Sequence, residues 1–177
     1  MEQQYNSQKF LNLREKYQEF SYDSFSYKVV NEDFVMTFHF SCNEISFSPT
    51  HTIKHKSFFS FKTLTKEQLN LLVFNIGMIE LISYWKATCS KIVIIKPYKI
   101  NDKQILFWKK LYFNGLGEFF YLNDIHTTID DFMDIVCKSN EELSPTHFEL
   151  KEEYLVPIGG GKDSVVSLEL LRGKGKD

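Results

Sequence analysis

The sequence is poor in the residues that staple, break or mark a chain. Its 177 residues hold three cysteines, four prolines, eight glycines and two tryptophans. Cys42, Cys89 and Cys137 are odd in number, far apart and free of any C-x-x-C spacing. That excludes a disulfide framework and a zinc ribbon, and it fits a reducing, cytoplasmic compartment. Arginine occurs twice, as Arg14 and Arg172, and the net charge is −2. A nucleic-acid reader needs a basic stripe, and none is present, so no nucleic-acid partner is expected. The first ten residues, MEQQYNSQKF, lack the apolar stretch of a secretory signal. The longest apolar run, LNLLVFNIGMIELISYW (69–85), is short for a membrane span and contains Asn70, Asn75 and Glu80. It reads as a buried helix, and no membrane partner is expected.

What is plentiful is core material. Hydrophobic residues make up 43% and aromatics 16%, with seventeen Phe and nine Tyr. That composition is globular and argues against disorder. From Phe25 the pattern alternates with period two. FSYKVV and FVMTFHF, separated by Asn31-Glu32-Asp33, read as a hairpin. EISFSPTHTI and SFFSFKTL read as further strands, with Pro49 at an edge or a bend. Thr65 and Gln68 form a capping box that opens a central helix running to about Lys86. KIVIIK (91–96) reads as a buried strand closed by Pro97. A helix from Asn101 or Asp102 to about Phe113 follows, then the glycine-containing stretch NGLGEFFYLND (114–124). A short helix is expected from Thr128 to Lys138, with Asp130 and Asp131 in its first turn, where the helix dipole favours acids. Residues 139–152 are polar, carry Pro145 and read as a linker.

Three of the eight glycines stand together, in YLVPIGGGKDSVVSLELLR (154–172). An apolar strand, a glycine turn and a helix start aim backbone N–H groups and the positive end of a helix dipole at one point. Gly159, Gly160 and Gly161 allow close approach of a ligand, Lys162 adds positive charge, and Ser164 adds a hydroxyl placed to cap the helix. Asp163 would repel phosphate unless it pairs with Lys162, caps the helix or meets a metal ion. Neither a Walker A loop nor a dinucleotide fingerprint fits, because Val156 replaces the first Walker glycine and Asp163 follows the lysine.

GGGKDS resembles the PP-loop of the ATP pyrophosphatase superfamily, S-G-G-x-D-S after a strand. Gly160, Gly161, Asp163 and Ser164 match, and Gly159 stands where that superfamily usually has Ser. Together, LVPIGGGKDSVVSLELL and FWKKLYFNGLGEFFYLND (107–124) resemble the UDP-N-acetylmuramoyl-L-alanyl-L-glutamate epimerase family of cell-wall synthesis, in its N-terminal portion. The resemblance implies ATP-dependent inversion of the terminal L-glutamate through an acyl-adenylate, with ATP and Mg²⁺ as cofactors and a nucleotide-sugar dipeptide as substrate. It implies that Gly159, Gly160, Gly161 and Ser164 hold pyrophosphate oxygens. Lys162 would be a charge partner, and Asp163 would orient the loop or touch Mg²⁺. Asn114, Gly115, Gly117 and Glu118 suggest a tight functional turn on the substrate side. No residue stands out as the base that takes the α-proton.

The expected architecture is an α+β N-terminal domain (1–138), a linker (139–152) and the first strand-loop-helix of a truncated α/β, Rossmann-like PP-loop domain (153–177). A PP-loop sheet needs several parallel strands joined by long crossovers. The expectation is therefore that the chain is a fragment, inactive alone. Two alternatives remain open: another PP-loop enzyme, such as a tRNA-modifying or amide-forming ligase, and a non-catalytic binding module. His51 and His55 have a zinc-like i, i+4 spacing but sit in a strand or loop without a third ligand, and His39 falls on the polar side of a strand.

Overall fold

A computed structural model describes residues 6–54, 63–150 and 156–173. The chain divides into two compact units, Met1–Thr146 and His147–Asp177. The first unit holds α1 (Gln8–Lys16), β1 (Glu19–Val30), β2 (Asp33–Cys42), β3 (Ile45–Phe47), β4 (Thr50–Ile53), α2 (Lys66–Trp85), β5 (Ile92–Ile95), α3 (Asp102–Gly115), α4 (Gly117–Leu122) and β6 (Asp134–Cys137). The second holds α5 (Lys162–Arg172).

The sheet runs β3-β2-β1-β5-β6, with β4 also paired to β2. The β1–β2 hairpin turns on two residues, Asn31 and Glu32, both in the left-handed region at φ 49° and 68°. A two-residue loop needs that backbone to match the strand twist. Asn adopts it readily and Glu less so. Asp33 already belongs to β2 and pairs with Val30. β3 and β4 form one edge, broken at Ser48 and Pro49, where Phe38 N–H still donates to the Pro49 carbonyl at 3.0 Å. Pro49 is thus at an edge and a bend, where its missing N–H is tolerated. Most of the expected strand SFFSFKTL lies outside the described residues.

β1 begins six residues before the alternation at Phe25 suggests. Its register slips between Tyr22 and Ser24, leaving Asp23 as a bulge. Phe20 and Tyr22 before the bulge are fully buried. Phe25 and Tyr27 after it turn to the same side, where Phe25 meets Phe74 and the Tyr27 hydroxyl donates to Asn70. The extra residue restores the phase that an uninterrupted strand would lose. β1 then pairs in parallel with β5, from Glu19–Ile92 to Tyr22–Ile95, and β5 pairs in parallel with β6. Burial pushes the Asp23 carboxyl upward, but hydrogen bonds from Lys96 and nearby serines outweigh it and hold it below the usual carboxylate range.

The buried face of the sheet carries Phe34, Met36, Phe38, Phe40 and Cys42 from β2, each preceded by a half-buried neighbour. α2 lies across it. Its capping box is formed: Thr65 accepts from Gln68 N–H, and the Gln68 side chain accepts from Thr65 N–H. Val73, Phe74, Met78, Leu81 and Trp85 are buried against the strands. Gly77 lets the helix come that close. A Cβ there would overlap the Tyr22 hydroxyl and lie 2.8 Å from Phe38 Cδ1. The Tyr22 hydroxyl is buried with no hydrogen-bond partner. α3 seals the other side of α2, with the Tyr112 hydroxyl donating to the Met78 carbonyl.

The expected helix from Thr128 to Lys138 is absent. Residues 128–132 form turns and Asp134–Cys137 is the strand β6. The apolar run is too short for period alone to separate helix from strand. Phe132 and Met133, adjacent in sequence, are both fully buried. Asp130 and Asp131 therefore do not sit in a helical first turn. Asp131 accepts from the Thr128 hydroxyl at 2.7 Å, and its carbonyl accepts from Lys91. Arg14 ties this region to α1 by donating to the carbonyls of Cys89, Asp131 and Phe132.

Two substitutions test the α2–sheet contact. Gly77→Ala should lower unfolding free energy in urea by about 1–3 kcal/mol, the usual cost of overpacking. Tyr22→Phe, which removes an unpartnered buried hydroxyl, should leave stability equal or higher. A stable Gly77→Ala protein would show that α2 does not seat as described.

Candidate functional site

The glycine loop lies in the second unit. Of the expected strand YLVPI, Tyr154 and Leu155 lie outside the described residues, and Val156, Pro157 and Ile158 have no regular structure, so no strand leads into the glycines among the described residues. Gly160 has φ +77°, a backbone conformation that L side chains rarely adopt. Gly161 is the N-cap of α5 in extended conformation, and no side chain caps the helix. Ser164 was expected as a cap; instead its Oγ accepts from Gly159 N–H at 3.2 Å and folds the loop back onto the first turn. Lys162 and Asp163 are exposed, and neither side chain has an ion pair among the described residues. A Cβ built on Gly159, Gly160 or Gly161 meets nothing within 4 Å. The first-turn amides of α5 thus face open space beside a cation, which suits a phosphate group.

The second block is not a tight turn. Asn114 and Gly115 close α3, Leu116 joins the helices, and Gly117 and Glu118 open α4. Neither glycine has positive φ. All four expected residues are exposed on this helical corner. Gly115 borders an apolar hollow of about 330 Å³ with Ile79, Ile82, Leu111 and Leu116.

Sequence reading missed a larger feature of the first unit. A groove of about 610 Å³ lies where β5 ends, walled by Ser24–Tyr27 of β1 on one side and by Pro97 and Tyr98 on the other. Lys66 and Asn70, one turn apart on α2, and Glu141 also line it. It lies at the carboxyl end of β5, where its parallel ladder with β1 stops; carboxyl ends of parallel strands are where open α/β sheets commonly bind ligands. The signal was faint: a twelve-residue strand beside a four-residue one.

Other polar side chains have structural explanations. His51 pairs with Glu80 at 3.4 Å, His126 with Asp124 at 2.9 Å, and His39 with Ser48 at 3.0 Å. His55 lies outside the described residues. No group of three His, Cys, Asp or Glu side chains that could hold a metal occurs among the described residues. Burial pushes the Cys89 thiol up to about 11, so it is not a ready nucleophile. No helix among the described residues is long and apolar enough to cross a membrane.

The chain matches the MurL N-terminal domain family over residues 12–177. It belongs to that family. Two curated relatives carry the name UDP-N-acetyl-alpha-D-muramoyl-L-alanyl-L-glutamate epimerase. That of Xanthomonas oryzae pv. oryzae is 32% identical over 115 residues, 65% of this chain and 24% of the relative. That of a Micromonospora species is 30% identical over 104 residues, 54% of this chain and 21% of the relative. The aligned part of this MurL N-terminal domain chain spans about a quarter of the length of those relatives. No solved structure matches it.

The loop geometry has a direct check. Ser164→Ala should speed hydrogen exchange of the Gly159 amide by roughly fivefold, the effect of losing about 1 kcal/mol of hydrogen bonding. An unchanged rate would mean that the fold-back bond does not form in solution.

Proposed function

We propose that this chain is part of an epimerase that uses ATP to invert the terminal L-glutamate of UDP-N-acetylmuramoyl-L-alanyl-L-glutamate, and that its glycine loop holds the ATP phosphates. The observation that carries the proposal is the left-handed Gly160 leading into the uncapped N-terminus of α5, in a member of the MurL N-terminal domain family. Family names alone would leave the chemistry open. The loop suggests where a nucleotide enters it.

The α-proton of a carboxylate is hard to remove because the carbanion would form beside a negative charge. Attack of the glutamyl carboxylate on the α-phosphorus of ATP forms an acyl-adenylate and expels pyrophosphate. The acyl group is neutral at its carbonyl, and the carbonyl accepts the electron pair left when the α-proton departs. A base on one face and an acid on the other then complete the inversion. Water cleaves the acyl-phosphate bond, so the sum is ATP and water giving AMP and pyrophosphate. In this chain, the backbone N–H groups of Gly161, Lys162 and Asp163 would bind pyrophosphate oxygens, the Ser164 hydroxyl would hold the loop in shape, and Lys162 would balance charge. Mg²⁺ would neutralise phosphate charge, and Asp163 is the loop carboxylate available to it.

The test uses the native gene product, purified from its source cells through an antibody to the first unit. Given the L-glutamyl substrate, ATP and Mg²⁺, it should yield D-glutamyl product with AMP and pyrophosphate in equal amounts. Gly161→Asp, which sets a carboxylate among phosphates, should lower kcat/KM for ATP by more than about 100-fold. Inversion without nucleotide, formation of ADP, or an indifferent Gly161→Asp variant would each overturn the proposal.

A further inference from the structure

The groove beside β1 differs from an ordinary surface hollow in one respect. Four consecutive residues, Ser24, Phe25, Ser26 and Tyr27, line it. Side chains along a strand alternate between faces, so four in a row border one cavity only when that cavity lies against the strand's edge. Phe25 and Tyr27 reach toward α2, while Ser24 and Ser26 are exposed. The space therefore faces the backbone of β1.

That edge is open for a structural reason. β1 has twelve residues and β5 has four. Their ladder ends where Lys96 N–H donates to the Tyr22 carbonyl at 3.1 Å, and the next residue, Pro97, has no N–H to continue it. Among the described residues no backbone bond joins Asp23–Val30 to anything on the β5 side. The opposite wall is fixed: the Tyr98 ring packs on Phe25 at 6.0 Å and edge-on to Phe74 at 5.5 Å. A strand edge beside a preformed wall offers alternating donors and acceptors to one kind of partner, an extended peptide.

One end of the groove carries charge. Lys66 lies in the first turn of α2, exposed, and takes part in no hydrogen bond or ion pair among the described residues. The neighbouring Glu67 carboxylate is held chiefly by its own backbone N–H and by Thr65, with a smaller effect of the Lys66 charge, and Glu141 is the carboxylate that lines the groove. Asn70 stands one turn further on the same face. The Tyr27 hydroxyl occupies its Oδ1 at 2.9 Å and leaves its amide N–H groups to the groove. An ammonium and an amide donor at i, i+4 suit a carboxylate.

We propose that this groove binds a short extended peptide, its main chain paired to the edge of β1 and its carboxylate held by Lys66 and Asn70. The proposal rests on the epimerase reading only in naming the peptide, the L-alanyl-L-glutamyl arm of the substrate. The first unit would then hold the arm whose end is inverted.

The test titrates the ¹⁵N-labelled 177-residue chain, without ATP, with acetyl-L-Ala-L-Glu. Shifts should appear at the amides of Ser24–Tyr27, Lys66 and Asn70. Methylation of the glutamyl nitrogen of the probe, amidation of both its carboxylates, and Lys66→Gln in the protein should each weaken binding about tenfold, the loss of one charge-assisted or main-chain hydrogen bond. Lys66 is exposed, so its replacement leaves the fold intact. Absence of shifts in the groove, or equal binding of the N-methyl probe, would overturn edge pairing. Equal binding to Lys66→Gln would overturn the carboxylate site. The readout needs no nucleotide, so failure of AMP formation in the native gene product would sink the epimerase reading and leave these shifts unchanged.

Discussion

The first unit depends on β1 serving two neighbours of opposite direction. On one side it forms a long antiparallel hairpin with β2, and on the other a four-residue parallel ladder with β5. The bulge at Asp23 makes both compatible with one core. It lets Phe20 and Tyr22, then Phe25 and Tyr27, all turn toward α2. Lys96, the residue that ends the parallel ladder, ion-pairs with Asp23 at 2.6 Å, so the bulge and the end of β5 are tied together. From that junction onward β1 has no strand partner on its β5 side among the described residues, and the groove is the consequence.

The two units supply different kinds of chemistry. The first is a packed aromatic scaffold with a strand edge open among the described residues, a neighbouring tyrosine ring and an exposed ammonium at a helix start. The second, over its described residues, has no buried side chain in α5, and Val165, Val166, Leu168 and Leu170 are all exposed. Its information lies in the backbone, in a left-handed glycine and amides left without a side-chain cap. A peptide-bearing substrate and a nucleotide make complementary demands on such parts: main-chain pairing for one, an anion cradle for the other.

Much of this was legible in the chain. The capping box at Thr65, the helix opening at Asn101 or Asp102 and the strand KIVIIK carry local signals that tertiary structure did not override. The start of β1 was hidden because the bulge breaks the alternation between Tyr22 and Phe25, so that the earlier half reads out of phase. The β6 segment reads as a helix because the apolar run in DFMDIVC is too short for its period to separate helix from strand; in the structure it is an edge strand that buries Ile135 and leaves Val136 exposed. The NGLG stretch suggested a turn because glycine usually marks one; here Gly115 and Gly117 sit on helical backbone at an open corner. The groove had no motif at all. It arises from unequal strand lengths, a property of pairing and not of any residue. The helix after the glycines is legible in the sequence, and the structure adds the Ser164 bond to Gly159 that no spacing rule predicts.

The central claim is that the Gly159–Ser164 backbone is an anion site for the phosphates of a nucleotide. The most direct measurement is a titration of the ¹⁵N-labelled chain with inorganic pyrophosphate, followed amide by amide. The account predicts saturable shifts confined to Gly159, Gly160, Gly161, Lys162, Asp163 and Ser164, with the amides of the sheet unmoved. Shifts spread over surface lysines without saturation, or none in the loop, would contradict it.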